Sequence, residues 1–396
     1  MGSPVQPNAL FELPPGARVP RRARTAKNRS PGPRTTVVPM PEPVLQNRPE
    51  PLPQDGPCLV GMEEVGTGLL DHVDAMQRVA ASAPPGPLLI NAGPGTGKTH
   101  VLVRRIAYHV AELHIPASQC LVLAPSADAA AAIADQLAPL LGDAVADMTI
   151  TDFADLDPRE LPPLGHLFVD DLHRMTIPVY DALRAERGDR PAFTATGDPD
   201  SLIEEHATPF DSFPGDFPEA RVVRLTRNHR STAPIIAAAT QLITPVTRVP
   251  GRGTLPGRSA ADTAAVGRFF AAGADAELHF AEQLPRILAP YGIRPADIAV
   301  LRPDGPAVGV PSMTIDEVAG QQYRVVHCMG VTDDVFGSDA RSRRRLFVAM
   351  TRARDLLYLS HCGAGSALLG DIDPGLFNKF GTVAVTSPRA EQPRLL

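Results

Sequence analysis

The stretch Ala92-Gly93-Pro94-Gly95-Thr96-Gly97-Lys98-Thr99 decides how this chain is read. It follows the apolar run Leu88-Leu89-Ile90 and precedes a helical pattern, Val101-Leu102-Val103-Arg104-Arg105-Ile106-Ala107. Strand, glycine-rich loop and helix form the context that a phosphate-binding loop requires. Glycines let backbone N–H groups turn inward around a phosphate. Lys98 can then reach the outer phosphates, and the Thr99 hydroxyl can sit on Mg2+. The first position of the general pattern is Ala92 rather than Gly, but Gly97-Lys98-Thr99 is intact. Gly93, Gly95, Thr96, Gly97, Lys98 and Thr99 are therefore candidate nucleotide-binding residues.

Working outward, strands alternate with helices. Cys120–Ala124 reads as a buried parallel strand by its continuous apolar run. Asp128–Leu141 reads as an Ala-rich helix, and Met148–Ile150 and His166–Val169 as further strands. Ala192–Thr196 leads into Gly197-Asp198. The pattern predicts a doubly wound α/β domain with a parallel sheet. Upstream, Leu69–Val79 reads as an amphipathic helix. A second α/β unit is expected to start near Arg221, with strands Val222–Leu225, Asp297–Leu301, Tyr323–Cys328 and Leu356–Ser360. Helices are expected at Thr232–Ile243 and Ala276–Ala289, the latter kinked or cut short at Pro285. The expected domains are 1–57, 58–218, 219–386 and a tail of 387–396.

Composition bounds the rest. The chain has 396 residues, 43% of them hydrophobic, enough for two packed domains plus tails. Net charge is −6, so nucleic acid binding requires a local groove rather than a global basic field. Cys58, Cys120, Cys328 and Cys362 are scattered without a C-x-x-C pair, as in a reduced cytoplasmic protein. No apolar run is read as long enough to cross a membrane, and Met1-Gly2-Ser3-Pro4 lacks a signal-peptide core, so no membrane partner is expected. Residues up to Pro57 are Pro-rich and expected to be disordered or locally polyproline II. The run Arg18, Arg21, Arg22, Arg24, Lys27, Arg29 and Arg34 reads as an electrostatic arm or as a solvated linker.

Three further patterns carry chemistry. Leu167-Phe168-Val169-Asp170-Asp171 ends an apolar strand in carboxylates, at the edge where open α/β sheets bind ligands. Asp170 is placed to hold Mg2+ with Thr99, and Asp171 to polarise an attacking water. Gly197-Asp198-Pro199-Asp200-Ser201 reads as a γ-phosphate sensor through Asp198 or Ser201, or as a turn. Asn228-His229-Arg230-Ser231 and Met350-Thr351-Arg352-Ala353-Arg354 each present an Arg from the second unit, the side chain suited to bidentate phosphate contact.

Taken in order, these pieces resemble the UvrD/Rep branch of superfamily 1 helicases over about Gln77 to Tyr358. Ala92–Thr99 resembles motif I, Val169-Asp170-Asp171 motif II and Thr196–Ser201 motif III. Leu225–Thr232 is similar to the family's LxxNYRST, and Leu346–Arg354 to motif VI with its arginine finger. The resemblance implies two RecA-like domains with parallel sheets, ATP in the cleft between them and Mg2+ on Thr99 and Asp170. It gives Gln77 the role of reading adenine and His229 that of stacking on it. Lys98, Asp170, Asp171, Arg230 and Arg352 become the hydrolytic residues.

The implied activity is ATP-driven movement on single-stranded DNA by a monomer. The alternative implied is a nucleotide switch acting on a protein partner in transcription or repair, or a decayed remnant of such a motor. Departures from the family pattern motivate these alternatives. Asp171 stands where the family has Glu, and Ser201 where it has Gln. Pro125 and Asp128 replace an aromatic and a Lys in motif Ia, and only Thr149 and Phe153 remain of motif Ib. Only Thr314 and Gly320 line up in motif V, and the chain has no Trp. Each lost aromatic removes roughly 1–3 kcal/mol of base stacking. The spacings leave no room for the large 1B and 2B insertions.

Overall fold

The computed structural model describes residues 34–38, 68–156, 165–185, 192–204, 206–249, 251–258, 266–303, 312–318 and 320–385. They fall into two compact units. One comprises Asn47–Ile236 and Ile243–Ser259; the other comprises Met1–Gln46, Ala237–Leu242 and Ala260–Leu396.

In the first unit, helix α1 (Ala75–Ser82) leads to strand β2 (Leu88–Ala92) and helix α2 (Lys98–Ala111). Then follow β3 (Cys120–Ala124), α3 (Ala127–Leu141), β4 (Thr149–Asp152), β5 (His166–Val169), α4 (Ile177–Ala185), β6 (Ala192–Gly197), α5 (Pro209–Asp216) and β7 (Arg221–Leu225). All six strands are parallel, in the order β4-β3-β5-β6-β2-β7. The central strands are continuous apolar runs because helices cover both faces. Leu102, Ile106, Val122, Ile133 and Phe168 form one core layer. Leu89, Leu123, Leu167, Tyr180 and Phe193 form the other.

Three sequence expectations change here. Arg221–Leu225 does not open the second unit: β7 pairs with β2 from Leu88↔Arg221 to Ala92↔Leu225 as the sixth strand of the first sheet. A single strand's apolar pattern carries no information about which sheet takes it. The expected helix from Leu69 begins only at Ala75. Gly68 and His72 take positive φ and turn the chain, and Asp74 then starts the helix with a capping box to Gln77. Finally, Ala127–Asp147 is long and apolar enough by composition to cross a membrane. It is the crossover between parallel β3 and β4, and buries Ala130, Ile133 and Leu137 against the sheet.

The second unit has the strands β1 (Arg34–Val38), β10 (Val266–Ala271), β11 (Ile298–Leu301), β12 (Tyr323–Cys328), β13 (Ala353–Cys362) and β14 (Asn378–Val385). Their order is β1-β14-β10-β13-β12-β11, parallel except for β1 against β14. Strand β1 lies within the segment expected to be disordered; its β-branched run Thr35-Thr36-Val37-Val38 suits a strand. The rest of that tail, and the end from Ser387, lie outside the described residues. Helices α7 (Ala274–Leu288) and α8 (Ala340–Met350) belong to this unit. Pro285 does not end α7: the helix continues to Leu288, because Phe280, Ala281, Leu284 and Leu288 hold its inner face in the core. Helix α6 (Ala233–Ile243) contributes residues to both units. A short pair, β8 (Arg227–Asn228) and β9 (Leu255–Pro256), belongs to the first.

Candidate nucleotide-binding site

In the first sheet β5, β6 and β2 are neighbours, so the loops at their carboxyl ends meet. The loop after β2 turns through Gly95 and Gly97, both with positive φ. Gly97 is the N-cap of α2 and supplies no side-chain cap, which leaves the first amides of a 14-residue helix for an anion. Each glycine is also needed for space. A methyl group on Gly95 would stand 2.5 Å from Nδ2 of Asn228, one on Gly97 2.8 Å from Nε2 of Gln77, and one on Gly93 2.7 Å from Nη2 of Arg252. Within the loop, the Thr96 hydroxyl donates to the Gly93 carbonyl at 2.7 Å.

Asp170 follows β5 and is 4% exposed. It accepts from the Thr99 hydroxyl at 2.6 Å and, through its other oxygen, from the Thr196 hydroxyl at 2.6 Å. Burial, reinforced by the neighbouring Asp171 carboxylate, pushes its pKa up to about 6. A hydroxyl and a carboxylate converging on one point are the hard oxygen donors Mg2+ takes, with water and phosphate filling the remaining positions. Asp171 sits at φ 51, in the left-handed region that Asp enters more readily than most residues. Its Oδ1 lies 3.9 Å from Lys98 Nζ and 3.9 Å from His173 Nδ1, and has no hydrogen-bond partner among the described residues. Burial works to raise its pKa, but the positive charges of Lys98 and Arg174 oppose it, and the carboxyl is held below the usual range. His173 is buried, which lowers its pKa, and its Nδ1 accepts from the Asp198 amide at 3.2 Å. The imidazole is therefore neutral, with its proton on Nε2.

Gln77 is buried beside the loop. Its Nε2 donates to the Thr96 carbonyl at 2.9 Å, while its Oε1 accepts from the Asp74 amide at 3.0 Å. The candidate adenine reader thus ties the start of α1 to the phosphate loop. His229 and Arg230, expected from the second unit, belong to the first. The Asn228 side chain donates to the Pro94 carbonyl at 2.6 Å and accepts from the amides of Arg230 and Ser231. The His229 amide donates to the Gly95 carbonyl at 2.8 Å, and its Nε2 lies 2.9 Å from the Asp74 carboxylate. These bonds seat the motif directly on the phosphate loop, which sequence position could not reveal. Arg352 lies in the other unit just after α8; it is buried, and its Nε donates to the Val348 carbonyl at 3.1 Å.

The Ser201 hydroxyl donates to Asp198 at 2.6 Å, and Asp198 in turn receives Arg252 Nη2 at 2.8 Å. Both candidate sensor side chains are thus bonded within the protein. Arg252, Asn228, Asp74 and Thr196 have site roles that motif reading missed. Asn228 and Thr196 lay inside quoted motifs, but Arg252 sits in a Gly- and Pro-rich loop that carried no signal.

A parallel sheet with a glycine loop, an open helix N-terminus and a Thr–Asp pair at its carboxyl edge defines a P-loop nucleotide-binding protein. More particularly, two stretches of the chain are similar to UvrD/Rep-type helicase domains. Residues 73–177 match the UvrD/REP helicase N-terminal domain and residues 310–360 the UvrD-like helicase C-terminal domain. It is 45% identical over 75 residues to the ATP-dependent DNA helicase UvrD1 of Mycobacterium leprae, covering 19% of this chain and 10% of that one. It is 35% identical over 92 residues to the ATP-dependent DNA helicase PcrA of Bacillus subtilis, covering 23% and 12%. The matched stretches are thus about a tenth of these relatives' length. Among solved structures, the arterivirus nonstructural protein 10 helicase is similar with a TM-score of 0.47 at 18% identity, covering 75% of this chain and 64% of that one.

Proposed function

We propose that the chain is an ATP hydrolase of the UvrD helicase type, using ATP and Mg2+ to drive movement on single-stranded DNA in the cytoplasm. The observation that carries the reading is the convergence of Lys98, Thr99, Asp170 and Asp171 at the ends of β2 and β5. Bound Mg2+ would neutralise charge on the phosphates and fix their geometry. Thr99 and Asp170 hold that ion; Lys98 and the α2 amides hold the phosphates. Asp171, kept ionised and with an oxygen lacking a hydrogen bond, orients the water and accepts its proton. His229 and Gln77 flank the base, anchored through Asp74. Arg230 and Arg352 take the roles of charge-stabilising arginines by motif position.

One observation supports a second reading, a nucleotide switch acting on a protein partner. At the segment aligned with motif Ia, Ser126 caps α3 and Asp128 stands exposed in its first turn. Both residues serve the helix, and the carboxylate repels a DNA backbone. The deciding experiment is the ATPase rate with and without single-stranded DNA. Stimulation by DNA, abolished in Lys98→Ala, supports the motor. A DNA-independent rate abolished by the same substitution supports the switch. No ATP binding removes both.

A further inference from the structure

Arg252 is the side chain at this site that no motif accounts for. Its side chain is 8% exposed, and its guanidinium bridges two carboxylates at the end of β6. Nη2 donates to Asp198 at 2.8 Å and Nη1 to Asp200. Asp200 also holds the residues preceding Arg252 in the loop: it accepts from the Thr247 hydroxyl at 2.5 Å and from the Arg248 amide at 2.6 Å. The same nitrogen lies against the phosphate loop, so closely that a methyl group on Gly93 would stand 2.7 Å from Nη2. The Asp198 amide donates to His173 Nδ1, which lies 3.9 Å from the Asp171 carboxylate, as does Lys98 Nζ. The bridge is therefore at the Lys98 end of the site, where the outermost phosphate of a triphosphate lies.

We propose that Arg252 is a further phosphate-facing cation, held by Asp198 and Asp200, which distinguishes a nucleoside triphosphate from a diphosphate. The inference rests on the nucleotide-binding reading above. Ser201 donates its hydroxyl to Asp198, so motif III itself offers the γ-phosphate a carboxylate, which an anion avoids. Arg252 reverses the sign of that surface. A guanidinium suits this task because its planar fork serves carboxylate and phosphate oxygens alike. The absence of a side chain at Gly93 is what lets it approach. Moving Arg252 toward a γ-phosphate loosens its bonds to Asp198 and Asp200, and so transmits the state of the nucleotide to the Thr247–Arg252 loop.

The test is the affinity of the full chain for Mg2+ with ADP and for Mg2+ with a non-hydrolysable ATP analogue, by calorimetry. Arg252→Met is expected to weaken the analogue about 10- to 100-fold, the value of a charged hydrogen bond, and to leave ADP unchanged. Arg252→Lys should fall between. Removing one cation from two buried carboxylates can destabilise the fold, so the double variant Arg252→Met with Asp200→Asn, which keeps the net charge, is measured beside it. The same triphosphate-selective loss is expected there. Equal losses for ADP and analogue, or no loss in either variant, overturn the proposal and leave Arg252 a structural bridge. If the wild type binds both nucleotides and Lys98→Ala abolishes binding, such a result removes this inference alone. If the wild type binds neither nucleotide, the underlying reading falls with it.

Discussion

At the residue scale, the site is built on side chains that serve the loop before they serve a ligand. Asp171 is the exception. Its Oδ1 has Lys98 and His173 at 3.9 Å and, among the described residues, no hydrogen bond, which leaves it able to accept one from a water. Asp171→Ala should therefore lower kcat for ATP hydrolysis about 10²- to 10⁴-fold, the usual range for a lost general base, while KM changes little. Steady-state kinetics check this; a parallel rise in KM would mean that Asp171 binds rather than catalyses. Residue types in a motif were legible in advance, because Lys, Thr and Asp at fixed spacing around a glycine loop have few other uses. The roles of Asn228 and Arg252 were not. Each acts on a loop far from it in sequence, and only folding makes them neighbours of Pro94 and Gly93.

At the element scale, Arg105 links the parts that must move together. It is fully buried within α2, and among the described residues its hydrogen bonds go to carbonyls and a hydroxyl rather than to a carboxylate. Its guanidinium donates to the carbonyls of Ala80, Ala81, Ala83 and Pro84 at the C-terminal end of α1, and to the Thr194 hydroxyl on β6. Burial lowers its pKa to about 9, and the negative end of the α1 dipole is what makes a cation tolerable there. Arg105→Met leaves several buried carbonyls without a donor, so a loss of about 3 kcal/mol in denaturant unfolding is expected. Because α1 carries Gln77, nucleotide affinity should weaken as well. The sequence shows Arg105 only as an oddity within an apolar helical pattern; its partners lie 21 to 89 positions away along the chain. Helix α8 and strands β10 and β14 also escaped the sequence reading. Arg341, Arg343, Arg344 and Arg345 mask the apolar face of α8, and glycines interrupt β10 and β14.

At the scale of the whole molecule, each unit buries a histidine in neutral form. His109 packs against His166 and Phe168 in the first unit. His327 lies in the second, 2.7 Å from the Ser360 hydroxyl, which itself donates to Glu277 at 2.5 Å. Burial lowers both pKa values to about 3. The unfolded chain takes up these protons as pH falls below about 6.5, and the folded chain does not. Stability is therefore fully present above pH 6.5 and is lost as pH falls toward 3, by about 2 kcal/mol per histidine at pH 5. Calorimetric melts between pH 7 and pH 5 should show this decline, and His327→Phe should flatten its share. A constant Tm over that range would contradict the buried neutral state.

The sequence by itself determined the class of fold and the phosphate chemistry. Both follow from local rules: apolar runs of strand length, helical periodicity, and a glycine loop whose backbone must curl around an anion. Only the tertiary structure decided that β7 closes the first sheet and that His229 and Arg230 are bonded to the phosphate loop. It alone brought Arg252 against Gly93 between two carboxylates. Those outcomes depend on which strand edge and which loop carbonyl remain to be paired once the sheet has formed. Hydrogen-bond partners of that kind are assigned by proximity in space, which no spacing along the chain encodes.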